Sequence, residues 1–282
     1  GFALVHASPL EKTVGKMFKK AQLYGDITLK LGLTVPLAQA ENTTVSGDIG
    51  FDDASIKLPA WRLEATKLHG GLHFTENTTQ AKNITGLIFG KPFQLQLTTI
   101  DADKVHSTTR ATITNHLAIA DLETWLKMPL SKVVNGSTDV VVDLDFRIDA
   151  PMLLHAQSNL LGVNVLLPDQ YAKAANQPKK FTLDLTANDN QPLKLKMNYA
   201  QQLDVACILE DENDSFQLVG ANISLGAGVA AWPKDDGLYI SGNIPVLSWE
   251  KIKSYTDSKE GGSAKLCDLT LCEIDVKIGK LN

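Results

Sequence analysis

Residues 136–148 read GSTDVVVDLDFRI, and their alternation decides the fold. After the turn pair Asn135 and Gly136, the side chains of Val140, Val142, Leu144, Phe146 and Ile148 fall on one face of an extended strand. Asp139, Asp143, Asp145 and Arg147 fall on the other. Five apolar side chains left in water forfeit about 8 to 15 kcal/mol together, comparable to the net stability of a whole domain. Protein or ligand must cover that face.

The design occurs twice. After Gly25 the residues Ile27, Leu29, Leu31, Leu33, Val35 and Leu37 alternate with Asp26, Thr28, Lys30, Gly32, Thr34 and Pro36. Leu58 and Pro59 close the next strand as Leu167 and Pro168 close the later one, and the two glycines and the two prolines are 111 and 109 positions apart. The spacing predicts a repeated unit.

At 282 residues with 44% hydrophobic content, the chain is long enough for one large all-β domain or two ordinary ones. A net charge of -5, with no Lys/Arg run longer than two, argues against nucleic acid and against a polybasic membrane patch. No run of 18 apolar residues occurs, so no segment spans a bilayer as a helix. The chain opens without Met and ends inside a strand-like pattern, Leu271 to Ile278, so it is expected to belong to a longer protein with its anchor elsewhere. Three cysteines make no disulfide framework.

Along the chain, Lys12 to Tyr24 has helical spacing behind Ser8 and Pro9. Strands follow over 26–37, 43–51, 54–61, 69–74, 79–89, 92–99 and 104–115. A second helix opens at Asp121, with Leu122, Trp125, Leu126 and Met128 on one face, and ends near Pro129. Strands resume over 137–148, 153–167, 180–187, 193–200, 203–210, 215–225 and 237–242; a third helix is expected over 246–255 and further strands over 265–278. The expected architecture is mainly β: antiparallel sheet modules, each led by one short helix, curled into a hydrophobic groove. Their expected bounds are 1–120, 121–245 and 246–282, the last being the start of a third repeat.

Candidate chemistry is sparse. Gly226 to Ala231 matches the G-x-G-x-x-A dinucleotide fingerprint, but Trp232, Pro233 and then Asp236 and Gly237 end any helix within a turn, so a strand crossing is the better reading. His69 and His73 have the spacing of a helical zinc pair, yet Gly70, Gly71 and the surrounding alternation make a strand, which sets them about 13 Å apart. Glu210 to Asp214 lacks calcium-loop spacing. No nucleophile motif occurs. No catalytic residue, metal or cofactor is expected.

Ser8, Pro9 and Leu10; Gly25; Val35, Pro36 and Leu37; Val45 and Gly47; Leu58 and Pro59; Leu68, Gly70, Leu72 and Phe74; and Leu87, Gly90 and Pro92 together resemble, in that order, YhdP-type members of the AsmA-like family. Ser158, Leu160, Gly162 and Leu166 to Pro168 continue the likeness, as do Leu225, Gly226, Gly228, Pro233, Gly237, Leu238, Ile240, Gly242 and Trp249. The resemblance implies a Gram-negative envelope protein anchored in the inner membrane, with periplasmic sheet modules that form a groove for phospholipid. Membrane contact would be made by parts outside this segment. The rival reading is a structural or adhesive β-sandwich.

Groove-lining candidates follow from the longest unbroken apolar parity. They are Ile27, Leu29, Leu31, Leu33 and Val35; Val140, Val142, Leu144, Phe146 and Ile148; Phe181, Leu183 and Leu185; and Leu193, Leu195 and Met197. Asp143, Asp145, Lys194 and Lys196 are expected to face bulk solvent.

Overall fold

The computed structural model of the chain describes residues 21–35, 44–100, 107–147, 150–188, 191–212, 215–247 and 271–281. In chain order the elements are β1 (Gln22–Thr34), β2 (Thr44–Leu58), β3 (Leu63–Thr75), β4 (Thr79–Ile88), β5 (Lys91–Ile100), β6 (Thr108–Ala118) and the helix α1 (Ile119–Leu126). There follow β7 (Val134–Arg147), β8 (Met152–Ser158), β9 (Val163–Val165), β10 (Phe181–Ala187), β11 (Leu193–Tyr199), β12 (Leu203–Glu212), β13 (Ser215–Leu225), β14 (Gly237–Leu247) and β15 (Leu271–Leu281). The chain is mainly β. Its strands hydrogen-bond in chain order, except that β9 pairs with β7 and leaves β8 beside β10.

Period-two alternation and short turns produce the antiparallel pairings of β1 through β6 and of β10 through β13. The expectation of antiparallel pairing throughout is corrected at the C-terminal end. There β13 pairs with β14, and β14 with β15, in parallel. A parallel partner requires the chain to travel back to the same end before it pairs, and residues 226–236 make that return between β13 and β14.

Several boundaries also shift. The two strands expected over 43–51 and 54–61 are the single β2, because Asp52 and Asp53 form a bulge rather than a turn. The strand expected over 153–167 breaks into β8 and β9 around Leu160. Helix α1 starts two residues before Asp121 and stops at Lys127, whose backbone is left-handed at φ 56 and whose N–H reaches the Glu123 carbonyl. Tyr24 belongs to β1 and Val246 to β14, not to helices. Gln22 and Leu23 of the first expected helix and Leu247 of the third are likewise strand residues, and residues 12–20 and 248–255 lie outside the described residues.

The chain divides into two compact units, the first comprising residues 1–116 and 141–154 and the second residues 117–140 and 155–282. The first similar stretch lies in unit 1, the second is divided, with residues 141–154 in unit 1 and the rest in unit 2, and the local devices around Gly25 and Gly136 match. Gly25 has φ +90, and a Cβ there would sit 2.8 Å from the Asp53 carbonyl oxygen and 2.9 Å from the Ala54 Cα. Gly136 has φ +108, and a Cβ there would collide with the Gly162 carbonyl, 3.1 Å from the Val163 Cα. In both stretches glycine alone lets two backbones cross this closely. Ala54 and Val163, facing the two glycines and 109 positions apart, are both fully buried. The Leu-Pro pairs of both stretches then lead into 3-10 turns, Pro59–Trp61 and Asp169–Tyr171.

Candidate functional site: one apolar sheet face in each unit

In unit 1 the register carries one parity across six strands. Ile27, Leu29 and Leu31 stand opposite Phe51, Ile49 and Gly47. Those three stand opposite Gly70, Leu72 and Phe74 on β3. The row continues through Ala81 and Ile84 to Leu97 and Leu95, and on to Ala111 and Ile113. Ala54, Ala65, Leu68, Ala81, Ile84 and Phe93 form its buried cluster, with Phe51, Leu72, Leu95, Leu97 and Ile113 packed against it. Small residues let large neighbours lie flat: a Cβ on Gly47 would be 2.5 Å from the Phe74 ring, and one on Gly86 would be 2.8 Å from that of Phe93.

On β1 this face is open. Leu31 is 53% exposed and Leu33 65%, with Ile27, Leu29 and Val35 also exposed. Contiguous apolar side chains in that state mark a surface that meets something apolar.

In unit 2, Phe181, Leu183 and Leu185 stand opposite Tyr199, Met197 and Leu195. Leu195 and Met197 in turn face Cys207 and Val205, and the row proceeds through Ala221 and Ile223 to Leu238 and Ile240. Apart from Tyr199, Cys207 and Ala221, these side chains are half-buried. No second sheet among the described residues seals them.

The described candidates within β1, β10 and β11 therefore lie on the apolar parity of their units. Val142, Leu144 and Phe146 lie in unit 1, with Phe146 buried, and Val140 lies in unit 2. Ile148 is outside the described residues. The register adds Phe51, Leu72, Leu95 and Leu97 in unit 1 and Val205, Ile223 and Ile240 in unit 2. Alternation alone misses the first group, because bulges between Phe51 and Ala54 and between Ala81 and Ile84 shift the parity.

The opposite face is polar and paired. Arg110 donates to Asp145 through Nε at 2.6 Å and Nη2 at 2.7 Å, and Thr112 donates to Asp143 at 2.6 Å. The bond to Asp145 holds the Arg110 pKa above its ordinary value. His73 contacts Asp48 at 2.8 Å, His69 contacts Asp52 at 3.3 Å, and in unit 2 His155 contacts Asp184 at 2.6 Å. The histidines are strand residues paired with carboxylates of neighbouring strands, not a shared ligand set. The expectation that Asp143 and Asp145 face bulk water is corrected: their partners on β6 leave both half-buried.

Lys194 and Lys196 also lie on this face, but Trp232 stands over them at 5.9 and 5.0 Å. Residues 226–236, the G-x-G-x-x-A stretch included, cross it as a strap. The Ala230 N–H donates to Asp204 at 2.7 Å, and Asn222 Nδ2 donates to the Ala231 carbonyl at 3.0 Å. The return of the chain thus covers the polar face and leaves the apolar one clear.

At the end of unit 2 where β11 stops, Leu160, Val163, Val165 and Tyr199 form a second cluster. Lys173 stitches it: its buried ammonium donates to the carbonyls of Leu160 and Val163 at 2.6 Å and of Ala174 at 3.0 Å. Burial, with a smaller contribution from the Lys179 charge, lowers the Lys173 pKa.

Two polar groups interrupt the apolar face of unit 1. Thr79, the cross-strand partner of Phe74, and Thr109, the partner of Thr99, are both almost fully buried. The Thr79 N–H donates to Thr99 Oγ1 at 2.7 Å, and that hydroxyl donates back to the Thr79 carbonyl at 3.2 Å. The Oγ1 atoms of Thr79 and Thr109 have no hydrogen-bond partner. A buried hydroxyl left so costs about 1 to 3 kcal/mol.

These features define a mainly β protein whose strands present one apolar and one polar, paired face. Residues 1–282 match the family model described as YhdP protein, and the chain belongs to that family. It is similar to the intermembrane phospholipid transporter YhdP of Escherichia coli (strain K12), at 22% identity over 194 residues. That similarity covers 65% of this chain and 14% of the relative's length. No solved structure matches the chain.

Proposed function

We propose that the chain is a periplasmic segment of a phospholipid conduit between the inner and outer membranes of a Gram-negative bacterium, anchored through parts outside this segment. The observation that carries the reading is the apolar parity of each unit, left uncovered on β1 and half-buried in unit 2. Acyl chains supply the cover that such a face requires, and headgroups remain in water at its margin. The relative's name, an intermembrane phospholipid transporter, agrees. The segments 1–120, 121–245 and 246–282 act in series as repeats of one helix-led module. The role is transport rather than catalysis, with phospholipid as the cargo. No helix among the described residues is long and apolar enough to cross a membrane.

The lining residues are those of the exposed β1 stripe, Val140, Val142, Leu144 and Phe146 on β7, and the facing rows of β10 and β11, with Ile148 assigned by parity alone. A photo-crosslinking residue at Leu31 or Leu195 is expected to capture phospholipid in cells, and one at Lys194 on the polar face is not. Equal labelling of both faces would defeat the proposal. A two-sheet sandwich is not favoured, because the described strands follow one hydrogen-bonded order.

A further inference from the structure

Residues 159–179, between β8 and β10, pack against one end of the apolar face of unit 2. Phe181 stands opposite Tyr199 and Tyr199 opposite Leu203, so these three make the last rung, where β10 begins, β11 ends and β12 begins. Leu160, Val163 and Val165 share one buried cluster with Tyr199, and Phe181, Leu203 and Leu167 pack against it. The cluster takes in none of Leu183, Met197, Val205, Leu185 or Leu195 from the next two rungs. We infer that residues 159–179 form an end wall that orients the lipid: acyl tails lie along β10 to β12 with their methyl ends toward Tyr199, and headgroups stay at the opposite margin, beyond Leu193 and Leu209. The inference rests on the lipid-conduit reading.

The wall is held to the sheet. Val163 and Val165 pair with Gly136 and Val134 of β7, and Val165 and Lys173 exchange backbone hydrogen bonds at 2.9 and 3.0 Å. The buried Lys173 ammonium, donating to Leu160, Val163 and Ala174, ties the two sides of the wall together. Its polar groups are already engaged. Lys179 Nζ donates to the Gln170 and Ala172 carbonyls and to Gln202 Oε1 at 3.0, 3.4 and 3.0 Å, and stands 5.0 Å from the Tyr199 ring centre. The Tyr199 hydroxyl donates to the Tyr171 carbonyl, and the Tyr171 hydroxyl, without a partner, is buried out of a ligand's reach. Lys180 is exposed, but it falls on the polar parity with Thr182 and Asp184. A headgroup pressed against Leu160 and Val163 loses its water with nothing in exchange, whereas a terminal methyl loses nothing. From Tyr199 back to Leu193, β11 runs about 20 Å at 3.3 Å per residue, more than half the roughly 30 Å hydrocarbon thickness of a bilayer, so one tail has room to lie along it. At that margin Leu193 faces Leu209, and the exposed Asn188, Gln191 and Glu210 meet water. Residues 189–190 and 213–214 of its turns lie outside the described residues.

The test loads the purified chain with two photoreactive phosphatidylethanolamines, one with a diazirine at the end of an acyl chain and one with a diazirine on the headgroup. Each adduct is located to its residue by tandem mass spectrometry. At Met197 and Val205, next to the wall, the tail probe is expected to exceed the headgroup probe by about fivefold or more, since the reverse orientation strands a polar group in an apolar corner. The headgroup probe is expected at Asn188, Gln191 and Leu193. Leu160→Ala, checked by circular dichroism to be folded, thins the wall and should move tail adducts onto Tyr199 and Leu203. Headgroup adducts at Met197, Val205 or Lys179 that equal or exceed those of the tail probe overturn the wall. So does an even spread of both probes over the face, or a tail adduct that stays in place in the folded variant, and each of these leaves the conduit standing. Adducts of neither probe on the apolar face defeat the conduit itself, and this inference with it.

Discussion

Gly136 is held at φ +108 against the Gly162 carbonyl, so a methyl group there meets both backbone strain and a neighbour that cannot move aside. Gly136→Ala is expected to destabilise the protein by about 2 to 4 kcal/mol, read from the midpoint of urea unfolding. The sequence marks this position only as half of a turn pair with Asn135, and the crossing it permits requires knowing that β9 returns to pair with β7. Tyr199 offers a second test. It is buried, donates to the Tyr171 carbonyl at 3.0 Å, and has its pKa pushed up by burial to about 12 from 10.0. A raised folded-state pKa contributes stability that is fully present below pH 10 and is lost as pH rises toward 12. Tyr199→Phe should lower stability at pH 8 by about 1 kcal/mol and lose less than the wild type between pH 10 and 12. Lys173 and Lys179, whose pKa values burial lowers, pull the other way below pH 10.5, so wild type and variant are compared at each pH.

At the scale of elements, the strap of residues 226–236 decides which face of unit 2 stays open. Asp204 holds it, accepting from the Ala230 N–H at 2.7 Å and from Asn198 Nδ2 at 3.1 Å. Asp204→Ala leaves a buried N–H unpaired and is expected to cost about 2 kcal/mol in urea unfolding, with lipid retention unchanged because the strap and the apolar parity lie on opposite faces. Trp232→Ala, which removes the ring from Lys194 and Lys196, should cost about 1 kcal/mol. The elements themselves were largely legible, since alternation over residues 26–34, 44–88 and 193–225 reports strands directly, although Gln22 to Tyr24 read as the end of a helix. Strand direction was not: Leu238, Ile240 and Ile244 alternate as any strand does, whichever way the neighbour runs, and the parallel pairing of β14 depends on the course of the strap. Asp52 and Asp53 read as a turn because acidic pairs favour turns. Pairing with β1 on one side and β3 on the other overrode that preference and kept β2 as one bulged strand.

At the scale of the molecule, the parity of the candidate residues was legible, and the strand-to-strand continuity of the lining was not, because only register joins Leu195 to Val205 and Ile223 to Ile240. That continuity separates a conduit from a store. In unit 2 Leu185, Leu195, Cys207 and Ala221 form one rung across four strands, so on the conduit reading an acyl chain that moves along the strands must pass it. A carboxylate there meets the chain in an apolar setting and raises a local barrier of about 2 to 4 kcal/mol, enough to slow passage by one and a half to three orders of magnitude. Leu195 is half-buried on the open face, so Leu195→Asp should leave the sheet formed, checked by circular dichroism. A store would lose lipid in proportion to the surface spoiled, a small fraction of the total. A conduit would retain most of its co-purifying phospholipid and yet fail to deliver it. In cells that depend on the protein, the expected result for Leu195→Asp is therefore near-normal bound lipid by mass spectrometry together with loss of transfer of labelled phospholipid to the outer membrane. Loss of bound lipid with proportionate loss of transfer would assign this segment a holding role instead.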